Sequence, residues 1–113
     1  MAITQVTMLP NMVDNAAVET LITVPATPAT NMLENASIRF TNIVAEAVTI
    51  TVYAVPSGGT ASTTNNCLNS VSIPPYSVID VAIPVVYAGG IVQAQAGAAN
   101  SINAQLMSGY IRS

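Results

Sequence analysis

Ala36-Ser37-Ile38-Arg39-Phe40-Thr41-Asn42-Ile43, followed by Val48-Thr49-Ile50-Thr51-Val52-Tyr53-Ala54-Val55, decides the fold class. In the first segment Ile38 and Phe40 fall on one side and Arg39 and Thr41 on the other. In the second, Val48, Ile50 and Val52 alternate with Thr49, Thr51 and Tyr53. A period of two puts the apolar residues on one face of an extended strand, and β-branched side chains fit a pleated, half-buried surface. Both segments are predicted to be half-buried strands, joined as a hairpin around Val44-Ala45-Glu46. The second ends at Pro56-Ser57-Gly58-Gly59, where proline fixes φ and glycine permits positive φ, and an exposed polar loop is expected through Thr60 to Asn66.

Outward from this pair, Leu68 to Ile73 and Tyr76 to Ile83 read as strands separated by Pro74-Pro75. Gly89-Gly90 breaks the chain before a strand at Ile91 to Ala96, and Ala17 to Val24 and Ala104 to Ile111 supply two more. The segment Val24 to Asn31, with Pro25 and Pro28, is a loop. No segment repeats its apolar positions with the 3.6-residue period of a helix. About seven strands joined by turns predict an all-β chain: a single antiparallel β-sandwich, jelly-roll or immunoglobulin-like, over residues 17–113. Residues 1–16 fit less well, because Met1 to Val13 mixes apolar and polar residues around a Pro10 break. They are expected to form an edge strand or a frayed terminus, or else an extended N-terminal arm that pairs with a neighbouring subunit.

Only seven residues are ionised, Asp14, Glu19, Glu34, Arg39, Glu46, Asp80 and Arg112, where an average domain of 113 residues carries roughly 28. Spread over roughly 5,800 Å² of expected surface, so few charges predict that part of the surface is covered by other protein. The apolar stretches alternate with Thr, Ser, Asn and Gln and never approach the length of a spanning helix, and the few aromatic residues cannot furnish the girdles of a membrane barrel. No membrane partner is expected. A net charge of −3 with two cations removes the basic footprint that phosphate backbones require, so no nucleic acid is expected either. The Met-Ala-Ile-Thr-Gln start lacks the basic stretch and apolar core of a secretory signal, which favours synthesis in the cytoplasm.

The chemistry of catalysis is thin. With no His, no Lys and five scattered carboxylates, the chain offers no base near neutrality, and it is expected not to be an enzyme. Cys67 stands alone, with no disulfide partner and no His or Lys to activate it. One Cys and no His exclude a structural zinc, and no Asp-x-Asp run marks a calcium loop. No cofactor is expected. Gly58-Gly59 and Gly89-Gly90 lack the Lys-Ser/Thr of a phosphate loop and read as turns. The tyrosines Tyr53, Tyr76, Tyr87 and Tyr110 suit strand or interface packing better than sugar stacking, since glycan modules usually rely on Trp and this chain has none.

Methionine is a flexible apolar filler, and Met8, Met12 and Met32 fall where strand patterning is poor. Together with Leu9, Leu33, Tyr87, Met107 and Tyr110 they make up the expected interface.

The stretch ASIRFTNIVAEAVTITVYAVPSGG from Ala36 to Gly59, followed by NSVSIPPYSVIDVAIP and the late Gly109-Tyr110-Ile111, resembles small virion proteins of tailed phages. The resemblance spans roughly residues 36–112. It implies a β-sandwich bound to a larger protein shell: a capsid cement or decoration subunit, forming a homotrimer and contacting the major capsid protein on the virion surface. Alternatives are a tail, neck or fibre-attachment module, and a bacterial surface or carbohydrate-binding domain. No catalytic or ligand residue comes with the resemblance.

Overall fold

A computed structural model describes residues 2–8 and 10–113, and every regular element in it is a β-strand. The strands are β1 (Ile3–Gln5), β2 (Asn11–Met12), β3 (Glu19–Thr23), β4 (Met32–Asn42), β5 (Val48–Val55), β6 (Asn66–Ile73), β7 (Val78–Ala82), β8 (Val86–Tyr87), β9 (Ile91–Ala96) and β10 (Ile102–Arg112). They form two antiparallel sheets. Sheet A runs β1-β10-β4-β7, with β2 also on β10 and β8 also on β4, and sheet B runs β3-β9-β5-β6. If β1 with β2, and β7 with β8, are each taken as one interrupted edge strand, successive strands alternate between the sheets except for the β5–β6 hairpin within sheet B, which is the order of a jelly roll. The fold is thus the antiparallel sandwich expected, in its jelly-roll form.

The period-two patterning supplies the core. Ile38 and Phe40 of β4, with Ile102 and Ala104 of β10, face Ile50 and Val52 of β5 and Val92 and Ala94 of β9, and all eight are fully buried. Burying a side chain of the size of Ile or Phe is worth about 1.5–3 kcal/mol, so this layer supplies much of the driving force for folding.

One expectation is corrected. β4 and β5 are not a hairpin: β4 pairs with β10 and β7, whereas β5 pairs with β9 and β6. Residues 43–47 carry the chain from one sheet to the other, so the apolar faces of β4 and β5 meet across the core. Alternation says which face of each strand is buried but not whether two such strands lie side by side or face to face.

Three buried polar side chains hold the connections. The Asn42 amide nitrogen donates to the carbonyls of Glu46 (2.7 Å), Ile73 (3.0 Å) and Pro74 (3.2 Å), and its oxygen accepts from the Val44 N–H (3.0 Å). At the other end of the sandwich, the Asn31 amide donates to the carbonyls of Pro25 and Thr27, closing the loop between β3 and β4. The Ser101 hydroxyl donates to the Ala98 carbonyl in the turn before β10. Each amide or hydroxyl replaces the water that a buried carbonyl would otherwise lose.

The β4–β10 pair is interrupted by bulges. Asn35 has φ +54, and opposite it Gly109 has φ +141, where an added Cβ would come within 3.1 Å of both Cα and Cβ of Ala36. Glycine is required there by both its conformation and its neighbour.

Candidate interaction surface

The strand registers assemble the outer face of sheet A row by row. Ile3 of β1 is opposite Arg112 of β10, Arg112 is opposite Met32 of β4, and Met32 is opposite Tyr87 of β8. One row of four residues therefore crosses the whole sheet. The next contains Gln5, Tyr110 and Glu34. Beyond the bulges, Gln105, Arg39 and Asp80 form a third, and Met12, Asn103, Thr41 and Val78 a fourth. Ile3 is 68% exposed, Tyr87 67% and Val78 49%.

This face carries both cations of the chain, and each is neutralised within it. The Arg39 guanidinium grips Asp80 with two bonds, Nε to Oδ1 at 2.8 Å and Nη2 to Oδ2 at 3.0 Å. That hydrogen-bonded fork holds the Asp80 carboxyl below the usual carboxylate range. Arg112 pairs diagonally with Glu34, and its Nη2 also lies 3.4 Å from the Met32 sulfur. The four charges sum to zero. The net −3 then belongs to Asp14, Glu19 and Glu46. These lie at one end of the sandwich, where the turns before β3, β5 and β10 converge: the Ala96 N–H donates to Asp14 O, and the Ile43 N–H to Ser101 O. Glu19 lies opposite the buried Ala94 and so turns inward from the edge strand β3, one Oε being buried without a hydrogen-bond partner. An inward carboxylate on an edge strand discourages pairing with another strand.

The expected interface residues separate into groups. Met12, Met32, Tyr87 and Tyr110 come together on the outer face of sheet A. Met107 is 48% exposed at the β10 bulge. Met8 is half-buried against the core. Leu33 is a correction: it is completely buried among the core residues and presents nothing to a partner. Leu9 lies outside the described residues. Ile3, Val78 and Arg112 share the face and were not anticipated. The alternation Tyr110-Ile111-Arg112 contains the signal for Arg112, because Ile111 is buried and its neighbours must then point outward.

The face can offer a partner aromatic, thioether and aliphatic surface with two guanidinium groups already fixed in place. Cores of protein interfaces are built this way, enriched in Tyr, Met and Arg and poor in uncompensated charge. No protein-family model, curated protein or solved structure matches this chain.

Proposed function

We propose that this chain is a structural virion subunit that binds and stabilises the outer surface of a phage capsid, as a cement or decoration protein, docking on the major capsid protein through the outer face of sheet A. The observation that carries this reading is the row Ile3-Arg112-Met32-Tyr87, exposed at both ends and internally neutralised. A cementing subunit must bridge neighbours over broad, weakly charged, shape-complementary surfaces. Seven ionised side chains on 5848 Å² of accessible surface suit that task better than life as a dispersed monomer. The jelly roll is a frequent architecture of virion subunits, although fold alone assigns no function. With no His and no Lys, the reading includes no catalysis.

The test is made on particles of the phage that encodes the chain. Quantitative mass spectrometry should find the chain in hundreds of copies per particle, and particles lacking it should release their DNA at lower temperature. Purified chain added back should restore the heat resistance, and Tyr87→Asp should restore less. A copy number in the tens or fewer would move the chain to the tail or neck, and particles equally heat-resistant with and without it would overturn cementing.

A further inference from the structure

The outer face of sheet B has a different chemistry. Its rows contain Thr20, Gln93, Tyr53 and Asn66, then Gln95 and Thr51 with Ser70, and then Thr49 and Ser72. No ionised side chain stands among them, and Tyr53 is their one aromatic ring. Several of these groups are held in place. The Gln93 amide donates to Thr20 Oγ1 (3.1 Å), the Gln95 amide to the Asn15 carbonyl (2.9 Å), and the Ser70 N–H to Thr51 Oγ1 (3.0 Å). A depression of about 280 Å³ opens between them, lined by Asn15, Thr49, Thr51, Ser70, Gln95 and Gly97. Tyr53, half-buried, lies two residues beyond Thr51 on the same side of β5 and outside the lining of this depression.

We infer that this face binds a neutral glycan. An anionic ligand finds no counter-charge on it and is repelled by the net negative chain. An apolar ligand would strip water from hydroxyls and amides and return no hydrogen bonds. A neutral sugar satisfies both demands, because its hydroxyls donate and accept like the water they displace, and the outward side of β5 gives its apolar ring face the part-exposed ring of Tyr53, which sequence alone favours for packing. Side chains already fixed by Thr20, Asn15 and Ser70 lose little freedom on binding. The face lies on the opposite sheet from the proposed capsid contact, so a docked subunit would present it outward. The glycan site does not depend on that contact, and its test uses the isolated chain.

The isotope-labelled chain is titrated with maltohexaose, cellohexaose, chitohexaose and mannohexaose, and with a hyaluronan oligosaccharide as the anionic comparison, while amide NMR shifts are followed. At least one neutral oligosaccharide should shift resonances of Thr49, Thr51, Tyr53, Ser70 and Gln95 in a saturable manner. Gln95→Ala should weaken that binding about tenfold, and Tyr53→Ala at least as much, while Thr30→Ala in the exposed loop between β3 and β4 should leave it unchanged. The Gln95 variant alters an exterior side chain and keeps the test valid should Tyr53→Ala unfold. Shifts confined to other surfaces, a response to hyaluronan alone, or no response to any of the neutral oligosaccharides would each overturn the inference.

Discussion

The Asn42 amide nitrogen, fully buried at the end of β4, lies 3.0 Å from the carbonyl oxygen of Ile73 at the end of β6, joining the two sheets where their strands turn over. The same nitrogen reaches Glu46 and Pro74, so one side chain serves the connections that follow β4 and β6. Asn42→Ala would leave these carbonyls and the Val44 N–H without that partner in a buried site. The expected loss is about 3 kcal/mol, since unsatisfied buried groups cost about 1–3 kcal/mol each and water recovers part of the set. Urea denaturation of wild type and variant measures it; a loss within error of zero would show that water replaces the amide.

This junction also shows how far the sequence can be read. The strands β5 and β9 coincide with the segments predicted at Val48 to Val55 and Ile91 to Ala96, because alternation holds through β9 and through β5 as far as Tyr53. β4 begins four residues before the predicted strand at Ala36. The bulge at Asn35 shifts the phase there: Leu33 and Ala36 both point inward although they are three residues apart. A strict period of two cannot register that step, which leaves Leu33 outside the pattern that marks the core. β1, β2 and β8 are too short to carry any period at all. The candidate surface was legible only as a set of apolar residues without pattern. Their common face arises from pairings between residues far apart in the sequence, β10 with β1 and β4 with β8.

Asp80 makes a prediction about acid stability. The hydrogen bonds from Arg39 lower its folded-state pKa beneath the value of about 3.9 for an unperturbed Asp. A depressed carboxyl contributes stability that is fully present above the unfolded pKa and is lost as pH falls through the folded one. Melting temperature should therefore fall less steeply below pH 4 in Asp80→Asn than in wild type, and the Asp80 carboxyl should titrate by NMR with a midpoint below about 3.9. Equal acid slopes in the two proteins would mean that the pair is broken in solution.

Cys67 should be a slow thiol. It is half-buried on β6, burial pushes its pKa up, and its Sγ lies 3.6 Å from the Val52 carbonyl, to which the thiol donates. Because the thiolate is the reactive form, a raised pKa and restricted access both retard attack on disulfide reagents. At pH 8, Ellman's reagent should modify the native chain several-fold more slowly than it modifies glutathione, and urea should abolish the difference. A native rate matching glutathione would place the thiol in open solvent.

Met32 and Leu33 are adjacent in β4 and separate stability from function. Leu33 is fully buried, so Leu33→Ala removes core volume and is expected to cost about 2–5 kcal/mol. Met32 stands on the opposite side of the strand, between Arg112 and Tyr87 in the row that crosses sheet A. Met32→Ala is expected to change stability by less than about 1 kcal/mol, yet to weaken attachment to capsid shells measurably. Urea denaturation gives the first quantity and co-sedimentation with shells lacking the chain gives the second. If Met32→Ala sediments with shells as wild type does while Met12→Ala and Tyr87→Ala also bind normally, the outer face of sheet A is not the docking surface. If only the Leu33 variant loses binding, it does so through unfolding, which the same urea curve reveals.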